Sequence, residues 1–404
     1  MQPTRREFLR SGLGGVSLLA AGGTLPAFLA RTAFAITPRK DERILVVVQL
    51  TGGNDGLNMI VPYADDRYQR ARPTLRVRPE QALKLDDMLG LHPEMTGLKQ
   101  LHDDGRLAVV TNVGYPNPDR SHFRAMDIWH TADPDVRNTD DGWLGRFADR
   151  AVTDAVSAPP ALHLDGEALP LALKTRRAPV PSIRDIAAIH LPESAREWSD
   201  GVAAPRESAA ADLLYVQRVA VASCANARRI ERVVRESAAE TTYPDYGLAQ
   251  RLKQVAQLIG ADFGPRVYYT SLGGFDTHAR QVIAHGPLMR ELSESIAAFQ
   301  TDLTQRGLDQ RVALMTFSEF GRRVAENAGQ GTDHGVAAPL LMVGAGVKAG
   351  IYGAPPDLAN LIDGDVRHSV DFRTVYAAAL ENWLGVAHEP ILGPGFAPAP
   401  LFIG

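Results

Sequence analysis

A chain of 404 residues, 45% of them hydrophobic, carries enough apolar mass for one large domain or two ordinary ones. Its formal net charge of −4 is nearly balanced and its basic residues are scattered, which argues against a nucleic-acid-binding surface. The single cysteine, Cys224, excludes an intrachain disulfide and reads as a buried apolar filler.

Residues 1–35 read as an export signal and not as part of the fold. Thr4-Arg5-Arg6-Glu7-Phe8-Leu9-Arg10 carries the twin-arginine pattern, a weakly apolar, glycine-rich segment follows from Gly12 to Leu29, and Ala33-Phe34-Ala35 offers a small-x-small cleavage site. Glycines and Pro26 interrupt the segment and Arg31 closes it, so no permanent membrane span is expected. The mature chain, from about Ile36, is expected in the periplasm or outside the cell, with the twin-arginine translocase as its export partner. Substrates of that route often carry a cofactor loaded before export, which raises the expectation of a metal.

Ile44–Leu50 is a β-branched and aliphatic run that reads as a buried strand, closed by Gly52-Gly53-Asn54-Asp55-Gly56. Taken alone, that turn is explained by the tolerance of Asn, Asp and Gly for positive φ. Pro62–Pro73 reads as a polar surface excursion, and Met95, Leu98 and Leu101 fall at helical spacing. Leu107–Thr111 is a second buried strand, followed by a loop with Pro116 and Pro118 and by helices over Ser121–His130 and Trp143–Arg150. Prolines and then the amphipathic stretch Glu207–Glu240 suggest a cap or insertion over residues 156–245 of a single domain spanning 36–404. Strands are expected at Pro265–Thr270, Val312–Phe317 and Pro339–Val343, with helices at Leu288–Leu303 and Asp371–Leu384. Strands alternating with helices predict a mixed, mostly parallel sheet between helical layers, an α/β fold of the three-layer α/β/α sandwich kind.

Polar groups flank these strands: Asp55; Asp276 with His278; Glu319; and Asp333 with His334. Ligands of open α/β sheets bind beyond the carboxyl ends of the strands. Carboxylates and imidazoles gathered there suit a divalent cation: zinc, manganese, magnesium or calcium. Ser121, at the start of a helix, stands where free N–H groups and the helix dipole favour a nucleophile. Arg120, Arg124 and Arg322 are the cations placed to hold an anionic substrate. Each has a plainer explanation, Ser121 as a cap and Glu319 as a partner of Arg322 or Arg323. His122 and His130 are assigned structural places.

GGNDGLN at 52–58, RSHF at 120–123, GGFDTH at 273–278, TFSEFGRR at 316–323 and TDHG at 332–335 together resemble a bacterial family of twin-arginine-exported proteins, the domain-of-unknown-function 1501 family, placed in the alkaline-phosphatase/sulfatase superfamily. The resemblance implies an alkaline-phosphatase-like fold with a metal site at the strand ends. Residue by residue it implies Asp55, Asp276, His278, Glu319, Asp333 and His334 as metal positions, with His285 and His368 as rivals for the histidines, and Ser121 as nucleophile. Phe320 stands where phosphatases carry a ligating histidine, and Phe123 departs from the sulfatase pattern, so an unmodified serine is expected. The activity implied is metal-dependent hydrolysis of a small-molecule or polymeric phosphate or sulfate ester; the alternative is a non-catalytic binding or assembly protein with a degenerate site.

Overall fold

The structure, a computed structural model, describes residues 42–135, 140–151, 159–178, 180–201, 224, 227–236 and 241–403. The expected export signal and most of Glu207–Glu240 lie outside them.

The main sheet is built from β1 (Ile44–Leu50), β2 (Leu107–Gly114), β3 (Ala161–Leu164), β4 (Ser182–Ile183), β5 (Val267–Leu272), β6 (Val312–Phe317), β7 (Ala338–Val343), β8 (Gly350–Tyr352) and β9 (Val370–Asp371). Across the sheet they run β8-β2-β7-β6-β1-β5-β3-β4, with β9 also paired to β2. Every pairing is parallel except those of β7, which lies antiparallel between β2 and β6. The fold is therefore the expected one, a mixed and mostly parallel sheet with helices on both sides.

The period-two alternation of a strand explains the layers. Along β1, Val46, Val48 and Leu50 point into one apolar cluster while Leu45 and Val47 point into the other. The first cluster is roofed by the helices Thr96–Asp103, Gly247–Gly260 and Gln281–Gln305. The second is roofed by His122–Thr131, Trp143–Ala151 and Phe372–Ala378. A sheet buried on both faces needs nearly continuous apolar strands, which is why β1, β6 and β7 are apolar apart from Gln49 in β1 and Thr316 in β6.

Three expectations change. The helix predicted at Leu288–Leu303 begins at Gln281 and runs through Pro287. The closing helix ends at Ala378 and continues as a wider π turn over Ala379–Trp383. The stretch expected to be a cap opens with β3 and β4, which extend the main sheet beside β5, so its described part begins as sheet.

Candidate metal centre

Register and direction decide what meets at the sheet edge. In the parallel trio, Leu50 of β1 lies opposite Leu272 of β5, and Gln49 lies opposite Phe317 of β6. Their carboxyl ends therefore release Gly52-Gly53, Gly273–His278 and Ser318–Arg322 side by side. Because β7 runs the other way, the residues preceding it, Asp333 and His334, arrive at that same edge. β2, antiparallel to β7, points its carboxyl end there too and leads into the helix that starts at His122. Close approach demands glycine in the β1 turn. A Cβ on Gly52, at φ +120°, would meet Asp276 N at 2.5 Å, and one on Gly53 would meet the Phe320 ring at 2.2 Å.

The donors converge on one carboxylate oxygen. Asp276 Oδ1 lies 3.1 Å from His278 Nε2, 3.4 Å from His334 Nε2 and 3.5 Å from His122 Nε2. His278 Nε2 and His334 Nε2 are 2.8 Å apart. Ligands of a tetrahedral cation at roughly 2.0–2.1 Å stand about 3.3 Å from one another, close to the three spacings from Asp276 Oδ1, while His278 Nε2 also lies 3.5 Å from Arg322 Nη1. The other face of each ring is tied down. His122 Nδ1 is 2.8 Å from Glu319 Oε1, His334 Nδ1 is 2.7 Å from the Arg120 carbonyl oxygen, and His278 Nδ1 is 3.4 Å from Asp333 Oδ1. An Nδ1–H given to a carboxylate or carbonyl leaves Nε2 as the lone-pair donor, the arrangement in which metal-binding histidines are held. His122 Nε2 is buried and has no hydrogen-bond partner. That nitrogen is therefore available to a cation as a lone-pair donor. Among the described residues, His122, Asp276 and His334 form a group able to bind one ion.

Charge is arranged in two tiers. The Asp276 side chain is 51% exposed, so the mouth of the site is open to solvent. Below it Arg322, its side chain fully buried, donates from Nη2 to Asp276 Oδ1 at 2.7 Å, from Nε to the Gly53 carbonyl and from Nη1 to the Thr332 carbonyl. Burial alone would raise the Asp276 pKa, but the Arg322 hydrogen bond and charge, with His122 and His278, outweigh it and hold the carboxyl at about 2. The Glu319 hydrogen bond, against the opposing effect of burial, raises His122 and makes its ring a stronger donor, while burial pushes His334 down and keeps its ring neutral.

The expected residues fall into different places. Asp276, His278 and His334 stand at the centre. Glu319 and Asp333, expected as ligands, lie behind the rings: Glu319 is buried, taking the Gly52 N–H and His122 on Oε1 and the Ser318 hydroxyl on Oε2, and Asp333 accepts from Asn327 and faces His278. Asp55 lies outside the cluster. It is fully buried, its Oδ2 accepting from Arg72 at 2.6 Å and from Gln281, so a guanidinium already supplies its positive partner. Ser121 is exposed at the start of its helix, its N–H given to Asp119 and its hydroxyl making no capping bond. The guanidinium groups of the three expected substrate arginines are engaged elsewhere: Arg120 with Asp365, Arg124 with the Pro134 and Asp135 carbonyls, Arg322 beneath Asp276. His285 is buried against Asn54 and held near 3 by burial.

His122 is the residue that the sequence reading set aside. It follows Ser121 directly, and its one signal was its place in the RSHF motif at a strand-to-helix junction. Arg72 was missed as well, because Pro62–Pro73 reads as surface and the helix Asp66–Ala71 hides the arginine that closes it.

A family model described as "Protein of unknown function (DUF1501)" matches residues 42–392. No curated protein matches the chain. Among solved structures, the chain is similar to the zinc complex of the C-terminal periplasmic domain of EcEptC from Escherichia coli, at 11% identity and TM-score 0.36, covering 77% of this chain and 75% of that one. It is similar to a protein in the alkaline phosphatase superfamily from Vibrio parahaemolyticus, at 8% identity and TM-score 0.39, covering 95% and 77%. It is also similar to the PsFucS1 sulfatase from Pseudoalteromonas sp., at 11% identity and TM-score 0.40, covering 97% and 74%.

Proposed function

The chain belongs to the family described as "Protein of unknown function (DUF1501)", and we propose that this member is an exported, metal-dependent hydrolase of phosphate or sulfate esters with Ser121 as nucleophile. The observation that carries the reading is the convergence of three imidazole Nε2 atoms on Asp276 Oδ1, each ring fixed from behind by a carboxylate or carbonyl.

His122, His278, His334 and Asp276 would hold the cation, and Glu319, the Arg120 carbonyl and Asp333 would keep the rings aimed. A cation bound there would lower the pKa of an attacking hydroxyl and offset charge on the leaving oxygen. Ser121 lies between Arg120, whose carbonyl holds His334, and His122 itself, so its hydroxyl stands one residue from two ring contacts. The anion of the ester would be met by the free N–H groups at the start of the His122–Thr131 helix, since the nearby guanidiniums are engaged. Ser121 would attack phosphorus or sulfur, the alcohol would leave, and water would then cleave the serine ester.

The test pairs elemental analysis of the purified mature chain with turnover of an aryl phosphate and an aryl sulfate. We expect bound divalent metal, and we expect Ser121→Ala to reduce turnover by roughly a thousandfold or more with the metal retained. Absence of metal after attempted reloading would sink the mechanism. One observation favours a second reading, a non-catalytic binding or assembly protein on this scaffold: among the described residues no base is hydrogen-bonded to the Ser121 hydroxyl. A metal-loaded wild-type chain inert toward both esters would support that reading.

A further inference from the structure

We infer that the centre takes a single cation, on His122 Nε2, His278 Nε2, His334 Nε2 and Asp276 Oδ1, and that the buried Arg322 guanidinium occupies the ground a second cation would need. The inference rests on the proposed metal centre and deepens it by fixing the count and the donor set.

Cations in two-metal sites sit about 3.5–4 Å apart and commonly share a carboxylate. Among the described residues Asp276 is the carboxylate on which the Nε2 atoms converge, and its Oδ1 already receives Arg322 Nη2 at 2.7 Å. Arg322 cannot swing aside, because its remaining N–H groups are held by the carbonyls of Gly52, Gly53, Phe275 and Thr332. A second cation would therefore sit against a fixed, desolvated positive charge.

The neighbouring carboxylates each face a guanidinium already: Asp55 Oδ2 accepts from Arg72 and Gln281, and Asp365 Oδ2 from Arg120, while their Oδ1 atoms are buried without a hydrogen-bond partner. Both oxygens of Glu319 are committed to Gly52, His122 and Ser318. On the remaining flank the Phe320 ring packs against His122 and His334, with centroids 4.8 and 4.6 Å away, and closes that side with an apolar wall. Three imidazoles and one carboxylate select a borderline transition ion such as zinc or cobalt over calcium and magnesium, which take oxygen donors. The half-exposed Asp276 leaves the outward coordination position open to substrate.

The experiment is a cobalt(II) titration of the full-length chain stripped with chelator, followed by visible absorption and by elemental analysis. The expected result is saturation at one equivalent, with affinity falling roughly tenfold or more in His122→Ala and in His278→Ala. Should His122→Ala fail to fold, His278→Ala, at a half-exposed ring, carries the same test. Saturation at two equivalents overturns the single-cation inference and leaves the metal centre standing. Unchanged affinity in the folded variants overturns the donor set, and no binding at all overturns the metal centre with it.

Discussion

Asp55 and Arg72 illustrate how one side chain's partner redefines its role. Both side chains are fully buried, and Arg72 also donates to Asn58 Oδ1 and to the Val324 and Arg323 carbonyls, tying the turn after β1 to two distant loops. Removing one member of a buried pair strands the other's charge, at a cost of roughly 3–5 kcal/mol. Asp55→Asn should therefore lower unfolding free energy by about that amount in urea denaturation, with the metal content unchanged. Loss of metal in a folded Asp55→Asn chain would return Asp55 to the ligands. Burial alone would raise the Asp55 pKa, but Arg72, with His285 and Gln281, brings it below the ordinary 3.8. A carboxyl depressed on folding contributes fully above its unfolded pKa and loses that contribution as pH falls through its folded one. The gap between wild type and Asp55→Asn should thus be constant above about pH 5 and narrow only as pH falls below about 4.

At the scale of elements, the centre depends on how closely the ends of β1, β5 and β6 approach. Gly52 lets the first turn pass under Asp276, and its N–H anchors Glu319, the residue behind His122. Gly52→Ala places a Cβ where Asp276 N now lies and forces an L residue to φ +120°. We expect a loss of about 1–3 kcal/mol in stability together with weakened cobalt binding, measured by denaturation and titration on one preparation. An Ala variant that is destabilised yet binds cobalt with full affinity would show that the turn and the centre are uncoupled. The antiparallel placement of β7 is the second requirement, because a parallel β7 would carry Asp333 and His334 to the opposite edge.

For the whole molecule, the proposed export raises the question of when the centre would form. The candidate donors come from segments as far apart as His122 and His334, so their grouping exists only in the folded chain. None of the described helices is long and apolar enough to cross a membrane. The twin-arginine pattern at Arg5-Arg6 fits passage of a folded, loaded protein. Arg5→Lys with Arg6→Lys should leave the precursor in the cytoplasm with its metal bound, read by fractionation and elemental analysis. Unimpaired export of the double variant would remove this route from the proposal.

Much was legible from residue order because local chemistry dictates it. Short, nearly continuous apolar runs closed by polar or glycine-rich turns read as strands buried on both faces, so β1, β6 and β7 and the layered fold were legible in the sequence. Glycine-rich polar turns at the strand ends marked the edge where Asp276, His278 and His334 meet. Local chemistry could not assign roles within that edge. A carboxylate's part depends on its nearest charges: Arg72 for Asp55, a ring nitrogen for Glu319 and Asp333, and Arg322 followed by the converging Nε2 atoms for Asp276. Those neighbours are set by strand order and direction, across separations that no local pattern encodes, so the places of His122 beside Asp276 and of Asp55 beside Arg72 were decided only once the sheet was assembled.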